Sequence, residues 1–357
     1  MAKPLPPGPR VQPPRLMPRS LPPRDVDVVV VGAGPCGLAA AIAIQQAGHS
    51  VRVYDRGCLV AGIASYPIDM AFFSSADRIS IGGVPFAVPG PKPTRREALA
   101  YYRLVARHHD VAVRQFEAVE HLERLDDWAW RVHSVPQDGR PRAIDCAAVV
   151  VATGYFGRPN RLGVPGEELP HVTHRFIEGH VGWDNDVVVV GGGNSAVDAA
   201  LELWRAGARV TMVHFGDGID ENVKPWVKPE ILGRLKRNDI RARFDTRIVR
   251  IHPTHVDLDD GGPSVRAVQV YLMTGYQPES SLLEQAGVGI DRDTGVPDHD
   301  PRTLESTIPG LFMAGVIASG YAANRTFIET GRFHGDLIAA RIAEVLSEVP
   351  ERRFRRA

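Results

Sequence analysis

The chain is poor in cysteine, carries no net charge and has no long apolar run. Its 357 residues hold three cysteines, Cys36, Cys58 and Cys146, with no CxxC pair and no metal-ligand spacing. So sparse and odd a set argues against a secreted disulfide scaffold and a cysteine-held metal, and fits a reducing cytoplasm. The formal net charge is zero, so no global field favours nucleic acid or an anionic membrane surface as partner. No apolar stretch approaches the ~18–20 residues that a membrane span requires. Hydrophobic residues make up 44% and charged residues 24%, the balance of a globular protein, and the length suffices for two domains.

The ends differ from the rest. The first 24 residues carry nine prolines, five Lys or Arg and no acid. Proline at this density supports neither helix nor central strand, so a disordered tail is expected. It lacks an apolar h-region, which argues against a signal peptide; Met17 offers a second possible start. Residues 351–357, with Arg352, Arg353, Arg355 and Arg356, read as a basic tail.

What the chain does have is two glycine loops, each between a β-branched run and an apolar helix pattern. Gly32-Ala33-Gly34-Pro35-Cys36-Gly37 follows the strand Val26 to Val31, and Gly191-Gly192-Gly193-Asn194-Ser195-Ala196 follows Val187 to Val190. The first glycine of such a loop makes the tight turn, and the second lets backbone N–H groups approach a pyrophosphate. The third, or an alanine, lets helix and strand pack closely. The phosphates then lie at a helix N-terminus, which favours negative charge. One such loop is weak evidence; two on one chain predict two nucleotide sites.

The residue at the end of the next strand separates the sites. Asp55 stands 18 positions beyond Gly37, where a carboxylate hydrogen-bonds a ribose 2′-OH, so the first site fits the adenosine half of FAD or NAD. His214 stands 18 positions beyond Ala196, so no carboxylate repels a 2′-phosphate there, although Asp217 is close in sequence. His214, Lys224 and Arg209 are candidate partners for such a phosphate, Arg209 also reading as an ordinary surface residue. The second site is expected to bind NADPH through Gly191, Gly193, Asn194, Ser195, Ala196, His214 and Lys224.

Coarse patterning orders the remainder. A helix is predicted over 38–48, and another over 94–109 with Thr94 as N-cap and Glu97 completing a capping box. Strands are predicted at 111–116, 117–125, 128–134 and 143–151, forming a meander that ends at Ala152-Thr153-Gly154-Tyr155. After the second loop come helices at 196–205 and 229–237. A second meander over 240–274 ends at Thr274-Gly275-Tyr276. The segment Ile308 to Gly315 returns the chain to the first domain, and a last helix is predicted from Arg332 to Val349.

This arrangement resembles the flavoproteins with two dinucleotide-binding domains, of the thioredoxin-reductase-like group, over nearly everything from Asp25 to Glu348. Within that group it resembles the bacillithiol-disulfide reductase family. The likeness rests on Gly34-Pro35-Cys36-Gly37, Tyr66-Pro67, Phe72-Phe73-Ser74-Ser75, Ile79-Ser80-Ile81-Gly82, Val84-Pro85-Phe86, and Phe327-Ile328-Glu329 before Gly331-Arg332-Phe333-His334-Gly335. It implies an α/β fold of two Rossmann-like, three-layer ββα domains, the NADPH domain inserted into the FAD domain. The expected bounds are 25–165 and 291–350 for FAD and 166–290 for NADPH. Gly32, Gly34, Pro35, Gly37, Asp55, Arg56, Thr153, Gly154, Gly315 and Val316 are expected to hold FAD, with Tyr66, Phe73 and Ser74 toward the substrate. The resemblance also implies a homodimer.

Two departures from thioredoxin reductases narrow the chemistry. Those enzymes carry CxxC in the NADPH domain, whereas residues 170–285 here have no cysteine, which excludes a dithiol relay. Their Ala-Gly-Asp becomes Ala314-Gly315-Val316, so a ribitol contact is missing or supplied elsewhere. The expected reaction is hydride transfer from NADPH to FAD and on to the disulfide of a low-molecular-weight thiol, bacillithiol disulfide by resemblance. The resemblance implies Cys36 as the catalytic residue, its thiol attacking the substrate disulfide; direct transfer from the flavin is the alternative. That cysteine starts a helix, where N–H donors lower a thiol pKa, while a bound pyrophosphate acts the other way. The residues leave two rivals open, a flavin monooxygenase and a ferredoxin or flavodoxin reductase.

Overall fold

The computed structural model describes residues 24–347, so most of the proline-rich tail and all of the basic C-terminal tail lie outside it. Arg24, assigned to the tail by composition, belongs to the fold: its guanidinium lies 2.6 Å from Asp27, and both are buried. The described chain divides into two compact units, one of residues 24–64, 71–157 and 277–347, the other of 65–70 and 158–276.

The first unit is built on a seven-stranded sheet. Strand β1 (Val26–Val31) is buried along its whole length, as an unbroken valine-rich run between two parallel neighbours requires. It pairs in parallel with β2 (Val51–Asp55), Val28 opposite Val51, after helix α1 (Pro35–Gln46) has crossed over. Helix α2 (Arg95–His108) has the predicted capping box: the Glu97 amide donates to Thr94 Oγ1, and the Thr94 amide donates to the Glu97 carboxylate. Strands β3 (Val113–Gln115), β4 (Glu117–Asp126), β5 (Ala129–Pro136) and β6 (Arg142–Val151) complete the first pass, in the order β3-β2-β1-β6-β5-β4.

In the second unit β7 (Val172–Thr173), β8 (Asp186–Val190), α3 (Asn194–Arg205) and β9 (Arg209–Val213) lead to α4 (Lys228–Lys236) and β10 (Arg241–Arg243). Strands β11 (Ile248–Ile251), β12 (His255–Leu258) and β13 (Val265–Arg266) form an antiparallel sheet, and β14 (Gln269–Leu272) returns to the core. The five-stranded sheet is parallel throughout, in the order β10-β9-β8-β14-β7. The predicted second meander over 240–274 is thus corrected: only β11, β12 and β13 form one. The buried apolar residues of β14, Val270 and Leu272, carry it into the interior beside β8.

The chain then re-enters the first unit through α5 (Ser281–Gln285), β15 (Leu311–Met313) and α6 (His334–Ser347). Strand β15 pairs with β6, Phe312 opposite Val150. The junctions between units fall at 157/158 and 276/277, against the expected 165/166 and 290/291. Apolar packing accounts for the difference. Leu162 and Val164 pack with Val188, Ile251 and Leu272 of the second unit. Leu282, Leu283 and Val288 share a cluster with Val29, Val149 and Leu311 of the first. No described helix is long and apolar enough to cross a membrane.

Candidate functional site

The two glycine loops have the same local construction. Gly32 (φ 113°) and Gly191 (φ 125°) adopt positive φ, and each lies against the strand that ends in Thr-Gly. A Cβ on Gly32 would come within 2.3 Å of the Ala152 carbonyl oxygen, and one on Gly191 within 2.5 Å of that of Met273. The third position differs for a geometric reason. A Cβ on Gly37 would stand 2.0 Å from the Gly32 carbonyl oxygen, whereas the second loop accommodates Ala196. Around Gly34 nothing lies within 4 Å of where a Cβ would be, which leaves the approach that a pyrophosphate needs. No side chain caps α1 or α3, so neither anion site is blocked by its own cap. Pro35 opens α1 three residues earlier than predicted, its fixed φ suiting a first helical position.

Asp55 stands at the end of β2 and also braces the loop. One carboxylate oxygen accepts from the Ala33 amide at 2.8 Å, and the other accepts from the Gly57 amide at 2.7 Å. Each oxygen keeps a second lone pair for a ribose hydroxyl. Arg56 extends toward Glu279 at 3.8 Å and lies over Gly157, while Thr153 donates to the Glu279 carbonyl at 3.2 Å. Gly154 takes φ 77°, and Gly315 and Val316 begin a 3-10 turn, Gly315–Ser319. The Gly315 amide donates to His334 Nδ1 at 3.1 Å, a partner on α6 that no local pattern announces. Burial holds the His334 pKa below its ordinary value, with His299 adding to the effect.

Cys36 occupies the first turn of α1, with its thiol packed against two glycines. A Cβ on Gly331 would meet Sγ at 2.8 Å, and one on Gly315 at 3.1 Å. The residue is half-buried, but the thiol is desolvated, and burial pushes its pKa up to about 12. Desolvation thus favours the thiol over the thiolate, against the pull of the helix N-terminus. Cys58 is half-buried and Cys146 buried; both are free thiols.

The candidate substrate residues are dispersed or engaged. Tyr66 belongs to the second unit, while Phe73 and Ser74 belong to the first. Ser74 Oγ donates to Glu329, whose other oxygen lies 3.4 Å from Arg78. Arg332 donates to the carbonyls of Asp77 and Ser80 at 2.8 and 2.7 Å. Ser74 thus ties its loop to the C-terminal segment.

The second loop carries groups that spacing alone did not suggest. The His214 ring fills the space beside Gly192 and lies 3.2 Å from Asp220, whose amide donates to the Gly192 carbonyl. His214 is buried, so it shapes the loop more than it faces outward. Asn194 donates to the Asn222 carbonyl at 3.3 Å and accepts from the Lys224 amide at 3.0 Å, holding the 222–224 segment beside α3. Ser195 is exposed in the first turn of α3 and Ala196 is buried. Lys224 Nζ stands 5.9 Å over the Trp226 ring. Arg209 begins β9 and pairs with Asp184 and Asp186, at the far end of that strand from the loop, so it is a surface residue and no phosphate ligand. His252, His255 and Asp257 bring donor atoms within 4.8 Å of one another. The two imidazole planes are stacked at 13°, so their lone pairs run parallel instead of converging on an ion.

Two units, each with neighbouring parallel strands joined through a glycine loop and a helix, define a nucleotide-dependent redox enzyme. The chain belongs to the pyridine nucleotide-disulphide oxidoreductases, whose family profile matches residues 29–315. It is similar to the bacilliredoxin reductase of Bacillus subtilis, 41% identical over 88% of this chain and 97% of the relative. It is also similar in structure to the bacillithiol disulfide reductases of Bacillus cereus (TM-score 0.87, 43% identity) and Staphylococcus aureus (0.84, 37%). Each comparison covers 90% of this chain and 99% of the other. The chain is accordingly a flavin-dependent oxidoreductase that uses FAD and NADPH. The open approach at Gly34, the loop geometry and the uncapped helices fit two dinucleotides.

Proposed function

We propose that this enzyme reduces the disulfide of a low-molecular-weight thiol, bacillithiol disulfide, at the expense of NADPH. The carrying observation is the two-loop architecture without a CxxC in the second unit, in a chain 43% identical to a bacillithiol disulfide reductase. The balance is one NADPH and one proton consumed, one S–S bond broken and two thiols released. Bound FAD supplies the two-electron relay between nicotinamide and disulfide. Gly32, Gly34, Pro35, Gly37, Asp55, Arg56, Thr153, Gly154, Gly315 and Val316 would hold it. Gly191, Gly193, Asn194, Ser195, Ala196, His214 and Lys224 would frame the NADPH site. His334 orients the Gly315 turn. Tyr66, Phe73 and Ser74 would face the substrate. Burial pushes the Cys36 thiol toward its protonated form, which supports direct transfer from the flavin over attack by Cys36. We place the enzyme in the cytoplasm as a homodimer, on its sparse cysteines and the habit of the group it resembles.

The name of the Bacillus subtilis relative favours a second reading, in which a bacilliredoxin delivers the disulfide. Steady-state NADPH oxidation under nitrogen separates the readings. Bacillithiol disulfide alone should sustain turnover, with coenzyme A disulfide markedly slower. Turnover only after bacilliredoxin is added would establish the second reading. Turnover only with oxygen or ferredoxin would replace both.

A further inference from the structure

We infer that Phe215 and Arg247 form the shelf that reads the adenosine end of NADPH, Arg247 taking the 2′-phosphate. The inference rests on the proposed assignment of NADPH to the second loop. A dinucleotide held on the β8–α3 loop lays its adenosine ribose over the end of the neighbouring strand, here β9. At that end the chain reads His214-Phe215-Gly216. His214 turns inward against Gly192, and the next side chain, Phe215, is 62% exposed. The guanidinium of Arg247 stands 4.8 Å from the Phe215 ring centroid.

Backbone pairing fixes this arrangement. The His214 amide donates to the Arg243 carbonyl at 2.9 Å, the Thr246 amide to the His214 carbonyl at 3.0 Å, and the Asp245 amide to the Gly216 carbonyl at 2.9 Å. On its other side Arg247 donates its amide to Asp259 at 2.7 Å. The 243–247 segment is thereby held across the end of β9, and Arg247 is presented by a rigid frame.

Its charge is uncommitted. Arg243 pairs with Asp260 at 3.2 Å and Arg209 pairs with acids at the other end of β9. Among the described residues no carboxylate pairs with the Arg247 guanidinium. Asp217 and Asp245 lie on the same two segments and would repel a phosphate, so its attraction there has to come from direct contact with Arg247. A planar guanidinium suits a phosphate, and an exposed aromatic face suits a purine.

Calorimetric titration of the FAD-loaded full chain with 2′,5′-ADP and 5′-ADP tests this. Loss of one charge-assisted contact, worth ~1.5–3 kcal/mol, should weaken 2′,5′-ADP by about tenfold or more in Arg247→Ala and leave 5′-ADP within about twofold. Arg247→Lys should fall between, and Phe215→Ala should weaken both ligands. A preference for 2′,5′-ADP that survives in Arg247→Ala would overturn this inference alone. No preference in the unaltered chain would overturn the NADPH assignment and this inference with it.

Discussion

At Cys36 two influences on a thiol act in opposite directions. A helix N-terminus stabilises a thiolate, whereas contact with Gly315 and Gly331 removes the water that would solvate it. Burial pushes the pKa up to about 12. Alkylation of native protein by iodoacetamide should therefore reach Cys58 well before Cys36, read by peptide mass. The Cys36 rate should still be climbing at pH 10; a plateau near pH 7 would show an activated thiolate instead. His334 provides a second test at this scale. Its pKa is lowered by burial, so below the ordinary value near 6.5 the unfolded chain binds a proton that the folded chain refuses. That stability is present above pH ~6.5 and is lost as pH falls through the folded pKa. His334→Asn should thus lose less thermal stability than the unaltered chain between pH 7.5 and 5.5. Equal losses in the two would show that His334 does not titrate in this range.

Elements pack closely where glycine permits it. Helices α1 and α6 cross at Gly335, where a Cβ would lie 2.7 Å from Ala40 Cα and 2.9 Å from the Ala39 carbonyl oxygen. The obstacle is backbone, which cannot rotate aside. Gly335→Ala should cost ~1–3 kcal/mol in denaturant unfolding. An unchanged midpoint would mean that the helices separate freely. Much at this scale was legible in the sequence. The valine runs of β1 and β8 and the Thr94–Glu97 box are local signals, and local signals carry elements directly. The second meander misled because alternation alone does not say whether a strand pairs within a hairpin or beside β8. That depends on burial of Val270 and Leu272, a tertiary property.

Over the whole molecule, sites were legible where the backbone itself needs a residue type. Gly32, Gly37 and Gly191 announce themselves because a side chain there would collide with a carbonyl. Side-chain partners did not. Ser74 meets Glu329 across 255 positions, and Arg247 reaches Phe215 only through pairing beside β9. No spacing rule spans such distances. His334 was visible within a motif, but its bond to the Gly315 amide was not.

Disulfide reduction is proposed to proceed here by direct transfer from the flavin, without a covalent protein thiol. Its most direct test is the yield of free thiol per NADPH oxidised, measured without oxygen, for the unaltered enzyme and for Cys36→Ala with bacillithiol disulfide as substrate. Two thiols per NADPH are expected from both, with the rate of the variant within about tenfold of the unaltered enzyme. No thiol release from either, or a rate loss near the ~10³-fold or more that removing a nucleophile causes, would contradict it.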